Sequence, residues 1–122
     1  MPLNKIKKNS DYALVFKHGK YLNLESFTIQ YCNKTSTNLH KSTRFGIIAS
    51  RKVGNSVKRN LAKRRIRALI VSLQSLFHNG YDYILIAKKK VINMKFDCLS
   101  LELSNGLKKI KLIEKWTNKK TY

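Results

Sequence analysis

The chemistry in this chain is concentrated in one short run. From Ser50 to Arg67 there are eight lysine and arginine side chains and no carboxylate. Such a run is suited to holding phosphate. Arginine offers a rigid planar fork that binds phosphate oxygens in pairs and stacks on bases, and lysine supplies a point charge. Arg59, Lys63 and Arg67 recur at i, i+4 and i+8, which on a helix places them on one face, with Asn60 and Arg64 alongside. Like charges at this spacing weaken an isolated helix by a few tenths of a kcal/mol, roughly, per pair. A helix that carries this cost without interleaved glutamate is matched to a polyanion. Arg51 and Lys52 lie just before the helix. Gly54-Asn55-Ser56 breaks the preceding segment, and either Asn55 or Ser56 can cap the helix, whose N-terminus itself favours phosphate.

The rest of the composition agrees. The 122 residues include 26 Lys plus Arg against 6 Asp plus Glu, a formal net charge of +20. No acid occurs between Ser26 and Gly80, and all six arginines lie between Arg44 and Arg67. With no acid in that window, the arginines are expected to serve a ligand rather than internal pairs. Nucleic acid is the first partner implied and an anionic membrane the second. No apolar run approaches the roughly 18 residues that span a bilayer, and Met1–Lys8 lacks the apolar stretch of a signal peptide, so a cytoplasmic location with no membrane partner is expected. Cys32 and Cys98 stand far apart and in no metal-binding spacing, and are read as two reduced, buried thiols. Catalysis by the protein alone is not expected. The six acids form no spaced pair of the kind two-metal hydrolysis needs, and His18, His40 and His78 are scattered.

The elements that must position the basic run follow from periodicity. A short helix is expected from Asp11 to Lys17, capped by Ser10 and ended by a left-handed Gly19. Ser26–Cys32 alternates as a half-buried strand, Asn33–Ser42 reads as a loop, and Arg44–Ser50 as a covered strand. The long helix spans Val57–Phe77, with Leu61, Ala62, Ile66, Ala68 and Leu69 on its apolar face and Lys58 and Arg65 snorkelling beside it. Asp82–Ala87 is an apolar strand, and Lys95–Ile113 a last helix in which Gly106 is a weak point. The strand–helix–strand order implies parallel pairing in a small mixed sheet, hence an α+β or two-layer α/β fold. The chain fits one RNA-binding domain, residues 1–122, with a basic, frayed tail from about 114 onward. From periodicity alone, Tyr12 and Phe16 belong to the core.

The central segment resembles the signature of the bacterial ribonuclease P protein family. Ser50, Arg51, Lys52, Val53, Gly54 and Asn55 match it in register, as do Val57, Arg59, Asn60, Lys63, Arg64 and Arg67. Tyr12–Gly19, Arg44-Phe45-Gly46 and Asp82–Lys89 resemble its flanking elements, so the likeness covers about Ile6 to Ile113. Leu61 stands where the family has an arginine, Ser56 where it has alanine, and Lys90 where it often has proline.

The resemblance implies a mixed four-stranded sheet with helices and a left-handed β-α-β crossover, against the usual hand, a topology shared with a domain of a small-subunit ribosomal protein. It implies a protein subunit that joins a catalytic RNA to mature the 5′ end of precursor tRNA. Hydrolysis and Mg²⁺ would belong to the RNA, with no cofactor bound by the protein alone and no obligatory protein partner. Arg51, Lys52, Asn55, Arg59, Asn60, Lys63, Arg64 and Arg67 would then face the catalytic RNA. Tyr12, Phe16 and Lys17, with Phe27, Lys88 and Lys89, would line a cleft for the precursor's 5′ leader, aromatic faces holding unstacked bases. Lys88–Lys90 read equally well as a solvated strand end. The alternative is a ribosomal or other structural RNA-binding protein.

Overall fold

Two hydrophobic periodicities meet in this chain, one of period two and one of period 3.6, and the fold is built where they face each other. The structure, a computed structural model, describes residues 3–33 and 42–119. In chain order these form α1 (Asn9–His18), β1 (Lys20–Asn23), β2 (Phe27–Cys32), β3 (Arg44–Ile48), α2 (Ser56–Ser72), β4 (Asp82–Ala87), α3 (Lys90–Asn93) and α4 (Phe96–Lys119). The strands make one mixed sheet in the order β1-β2-β4-β3. β4 is central and apolar, antiparallel to β2 with Tyr31 opposite Tyr83 and Ile29 opposite Leu85. β3 runs parallel to β4, and the connection between them is α2, the strand–helix–strand unit expected from the sequence.

Alternation along the strands assigns the two faces. Phe27, Ile29 and Tyr31 of β2 join Phe45 of β3 and Tyr83 and Leu85 of β4 in the main core. There they meet Ala62, Ile66, Leu69 and Ile70 of α2 and Leu99, Leu103, Leu107 and Ile110 of α4. Each such side chain contributes about 1.5–3 kcal/mol on burial. On the reverse face a smaller cluster of Ile6, Val15, Cys32 and Ile84 seats α1, with Tyr12, Ile48 and Ile86 packed at its margin. The segment before α1 also closes the outer edge of β3. Phe45 N–H donates to Asn4 O at 2.8 Å, and Ile6 N–H donates to Phe45 O at 3.0 Å.

Several local expectations are corrected. α1 begins at Asn9, so Ser10 lies inside it, and the cap position is Lys8, without a side-chain bond. Gly19 leaves the helix at φ −83°, not left-handed. Its lack of a Cβ matters for space, since one would sit 2.4 Å from Val15 O and 2.5 Å from Tyr31 O. α2 ends at Ser72, and a separate 3₁₀ turn (Gln74–Leu76) brings Phe77 inward. Ala68 is exposed, whereas Gly106 is buried against Leu24, where α4 closes on the sheet, and so marks a close approach rather than a weakness. α4 continues through Lys119, past the predicted Ile113, because Glu114 is anchored inside. Its carboxylate accepts from Tyr81 O–H and from Lys20 Nζ, each at 2.8 Å. Burial and this carboxylate push the Tyr81 hydroxyl well above its ordinary pKa. Cys32 is buried, but Cys98 is exposed, contrary to expectation. Of the predicted 33–42 loop, residues 34–41 lie outside the described residues, as do 120–122 of the basic tail.

Candidate nucleic-acid interface

The turn between β3 and α2 sets the start of the basic helix. Val53 is buried and anchors it, while Ser50 accepts from the backbone of Val53 at 3.0 Å and, through its hydroxyl, from Lys52 N–H at 3.3 Å. Gly54 has φ +145°, a conformation side chains rarely adopt. Asn55 resolves the open choice of cap. Its Oδ1 accepts from Lys58 N–H at 3.0 Å, fixing where the helix begins and hence which residues turn outward.

From this start, Asn60, Arg64 and Arg67 are exposed, Arg59 and Lys63 half-buried, and Arg51 and Lys52 exposed in the preceding turn. Among the described residues none of these side chains pairs with a carboxylate. The Nε of Arg59 is itself buried and has no acceptor there. Leu61 is half-buried on the flank of α2, so where the family has an arginine this chain presents an apolar side chain.

The expectation that every arginine in this window serves a ligand is overturned at two positions. Arg44 binds Asp82 with two bonds, Nε to Oδ1 at 2.9 Å and Nη2 to Oδ2 at 2.6 Å, and reaches Asp11 at 3.3 Å. These carboxylates hold its pKa above the ordinary arginine value, the Asp82 bond first. Arg65 donates to the carbonyls of Val91 and Ile92 at 2.7 and 2.6 Å, and to that of Met94, and so ties α3 to α2. Both forks are structural. Their partners come from distant segments, which local charge counting could not see.

The proposed cleft is rearranged by the structure. Phe16 is 44% exposed on the outer side of α1, and Lys17 is exposed beside it. The sheet face next to α1 presents half-buried Thr28, Gln30, Ile48 and Ile86. Tyr12 is half-buried above β3, so close that a Cβ on Gly46 would meet its ring at 2.6 Å. It lines a cavity of about 150 Å³ together with Lys5, Lys63 and Arg67. The structure thus joins Tyr12 to the basic stripe of α2, and adds Lys5, whose only sequence signal was its place in a basic N-terminal run. Phe27 does not belong to the cleft. It is 0% exposed in the main core, on the side of the sheet away from α1. Lys88 is half-buried and holds the β1–β2 turn, donating to Asn23 Oδ1 and Leu24 O at 2.5 Å each, so its ammonium has a structural role. Lys89 is exposed at that same end of the sheet, and Lys90 pairs with Glu25.

The family model described as Ribonuclease P matches residues 2–111. The chain belongs to the ribonuclease P protein family. It is 34% identical over 104 residues to the ribonuclease P protein component of Streptococcus agalactiae, covering 85% of this chain and 91% of that protein. Against the component from Bacillus cereus it is 33% identical over 113 residues, 88% and 96% of the two chains. The Staphylococcus aureus RNase P protein structure superposes with a TM-score of 0.74 at 31% identity, over 90% of this chain and 97% of that one. The Thermotoga maritima RNase P protein gives 0.73 at 28%, over 87% and 96%. As a ribonuclease P protein the chain is a component of a ribonucleoprotein endoribonuclease, and RNA is its partner. These matches do not favour the ribosomal alternative. Among the described residues no helix is long and apolar enough to cross a membrane.

Proposed function

We propose that the chain acts as one RNA-binding domain with a division of labour between two surfaces. The outward side of α2, with the turn before it, grips the catalytic RNA through Arg51, Lys52, Asn55, Arg59, Asn60, Lys63, Arg64 and Arg67. The α1 side, with Phe16, Lys17 and Tyr12, holds the single-stranded 5′ leader of precursor tRNA, and Lys89 is a phosphate contact beyond it. The observation that carries the first half is the buried Arg59 Nε without an acceptor. A buried donor left unsatisfied costs about 1–3 kcal/mol, and a phosphate oxygen arriving at α2 would satisfy it. The exposed ring of Phe16 beside an open sheet face supports the second half.

Five of the six carboxylates, all but Asp97, are engaged within the chain. Asp11 and Asp82 hold Arg44, Glu102 accepts from Ser26, Glu114 from Tyr81 and Lys20, and Glu25 pairs with Lys90. Among the described residues no three His, Cys, Asp or Glu side chains gather to hold a metal. We therefore assign Mg²⁺ and hydrolysis to the RNA, in the cytoplasm, with the protein lowering phosphate repulsion and extending contact to the substrate. The test is reconstitution with the catalytic RNA at low Mg²⁺. Arg59→Ala with Arg64→Ala should weaken assembly, while Phe16→Ala leaves assembly intact and weakens precursor binding by the holoenzyme by about 1–3 kcal/mol, one base stack. Equal effects of both variants on both steps would overturn the division.

A further inference from the structure

The sheet face beside α1 is covered over only part of its width. Gly46, Ile84, Gln30 and Tyr21 stand side by side in one row across β3, β4, β2 and β1, and cross-strand partners point to the same face. α1 covers the first half of this row. The ring of Tyr12 lies against Gly46, and Val15 packs in one cluster with Ile84. The second half is open. Gln30 is half-buried, Tyr21 is 68% exposed, and neither side chain makes a hydrogen bond or ring contact among the described residues. The other face of β1 is occupied, since Lys20 reaches Glu114 and Leu22 packs on the main core. Phe16, one turn beyond Tyr12, stands where α1 ends and the chain turns through Gly19 into β1. Two exposed aromatic side chains, Phe16 and Tyr21, therefore border one uncovered patch that has the Gln30 amide on its floor.

We propose that Tyr21 and Gln30 form a second base subsite for the 5′ leader, in which Tyr21 stacks on one unpaired base and the Gln30 amide bonds that base's edge. It rests on the proposal that the α1 side holds the leader, and it adds a nucleotide to the one at Phe16. Bases splayed from a single strand are held in this way, by an aromatic face and a hydrogen bond to an edge. The sheet fixes the two parts together. Residues directly opposite in an antiparallel pair have Cβ atoms about 4.5–5.5 Å apart, close enough for one base to meet both. Charge selects RNA as the occupant. Lys17 is exposed at the end of α1, and the acid nearest in sequence to Tyr21, Glu25, is paired with Lys90. A second copy docked along β1 would instead bring together two chains of net charge +20.

The holoenzyme, reconstituted with the catalytic RNA, is titrated with precursor tRNA and with mature tRNA that has no leader. Tyr21→Ala should weaken precursor binding about tenfold, the size of one lost base stack. Binding of mature tRNA and assembly with the catalytic RNA should not change. Tyr21→Phe keeps the ring and should keep the affinity, while Gln30→Ala should cost about threefold. Tyr21 is exposed, so the urea midpoint of Tyr21→Ala should match that of the unsubstituted chain. Precursors with one abasic nucleotide at successive leader positions locate the contact. The Tyr21→Ala loss should vanish at one position and the Phe16→Ala loss at another. A leader-dependent loss in Phe16→Ala with none in Tyr21→Ala would overturn this subsite alone. No leader-dependent loss in either variant would overturn the leader reading and the subsite with it. The subsite also fails if Tyr21→Phe binds as weakly as Tyr21→Ala, if Tyr21→Ala weakens mature tRNA equally, or if its effect is to abolish self-association.

Discussion

Arg44 and Arg65 differ from Arg59, Arg64 and Arg67 in what their guanidinium groups touch, although all five come from one acid-free stretch of sequence. The first two point inward, one into a pair of carboxylates and the other onto three carbonyls at the end of α3. The other three have no carboxylate partner among the described residues, and one keeps a buried Nε without an acceptor. A cluster of positive charge in a sequence can thus contain two populations, one that holds the fold and one left without an internal carboxylate partner. Separating them needs the three-dimensional positions of the acceptors.

The sharpest way to break this distinction is to truncate one member of each set and measure stability and RNA binding together. Arg44→Ala strands two buried carboxylates, so urea unfolding should show a loss of about 3–5 kcal/mol. A loss under 1 kcal/mol would place Arg44 with the outward set. Arg65→Ala should cost about 2 kcal/mol, because three charge-assisted bonds to carbonyls disappear. Arg64→Ala should leave stability within about 0.5 kcal/mol. In filter binding it should weaken association with the catalytic RNA roughly tenfold, a single charged hydrogen bond, and reduce the salt slope by about 0.9. Destabilisation by Arg64→Ala would collapse the two sets into one.

The smallest effect concerns Tyr81, which precedes β4 beside the Arg44–Asp82 pair. The Tyr81 pKa is raised, first by burial and then by Glu114, so the folded state binds this proton more tightly than the unfolded state. Its stabilising contribution is complete below the unfolded value near 10 and is lost as pH rises above it. Tyr81→Phe should remove up to one proton's share of the alkaline slope, about 1.4 kcal/mol per pH unit, measured as the difference between the two urea-midpoint profiles above pH 10. Identical profiles would show that the hydroxyl is not held.

Much of this was legible before the structure. β4 was bounded to the residue by its apolar run, and the start of α2 to within one residue by Gly54-Asn55-Ser56, because those signals are local, although they left Asn55 and Ser56 both open as the cap. β1 was not seen, since only Leu22 of its four residues is even half-buried and the strand exists through pairing with β2. α3 is four residues long and held by Arg65, a contact no periodicity carries. That Arg59, Lys63, Arg64 and Arg67 turn to one side of α2 could be read because helical spacing fixes their face. The cleft could not be read as well. Phe27 and Thr28 are adjacent in sequence and fall on opposite faces of the sheet, and which face is covered by α2 and α4 is decided by packing. Lys88 looked like its two lysine neighbours, yet its ammonium ends at a turn formed some 64 residues earlier.

The short pairing of residues 4–6 with β3 has a further meaning for the behaviour of the chain in solution. An uncovered edge strand is a template for another molecule's strand. The two edges of this sheet are guarded by different means. β1 is brief and bears Lys20, whereas β3 relies on Asn4 and Ile6 occupying its free backbone groups. Proteolytic loss of the first six residues would leave the helices chemically intact but open β3 to intermolecular strand addition, so the trimmed protein should aggregate before it unfolds.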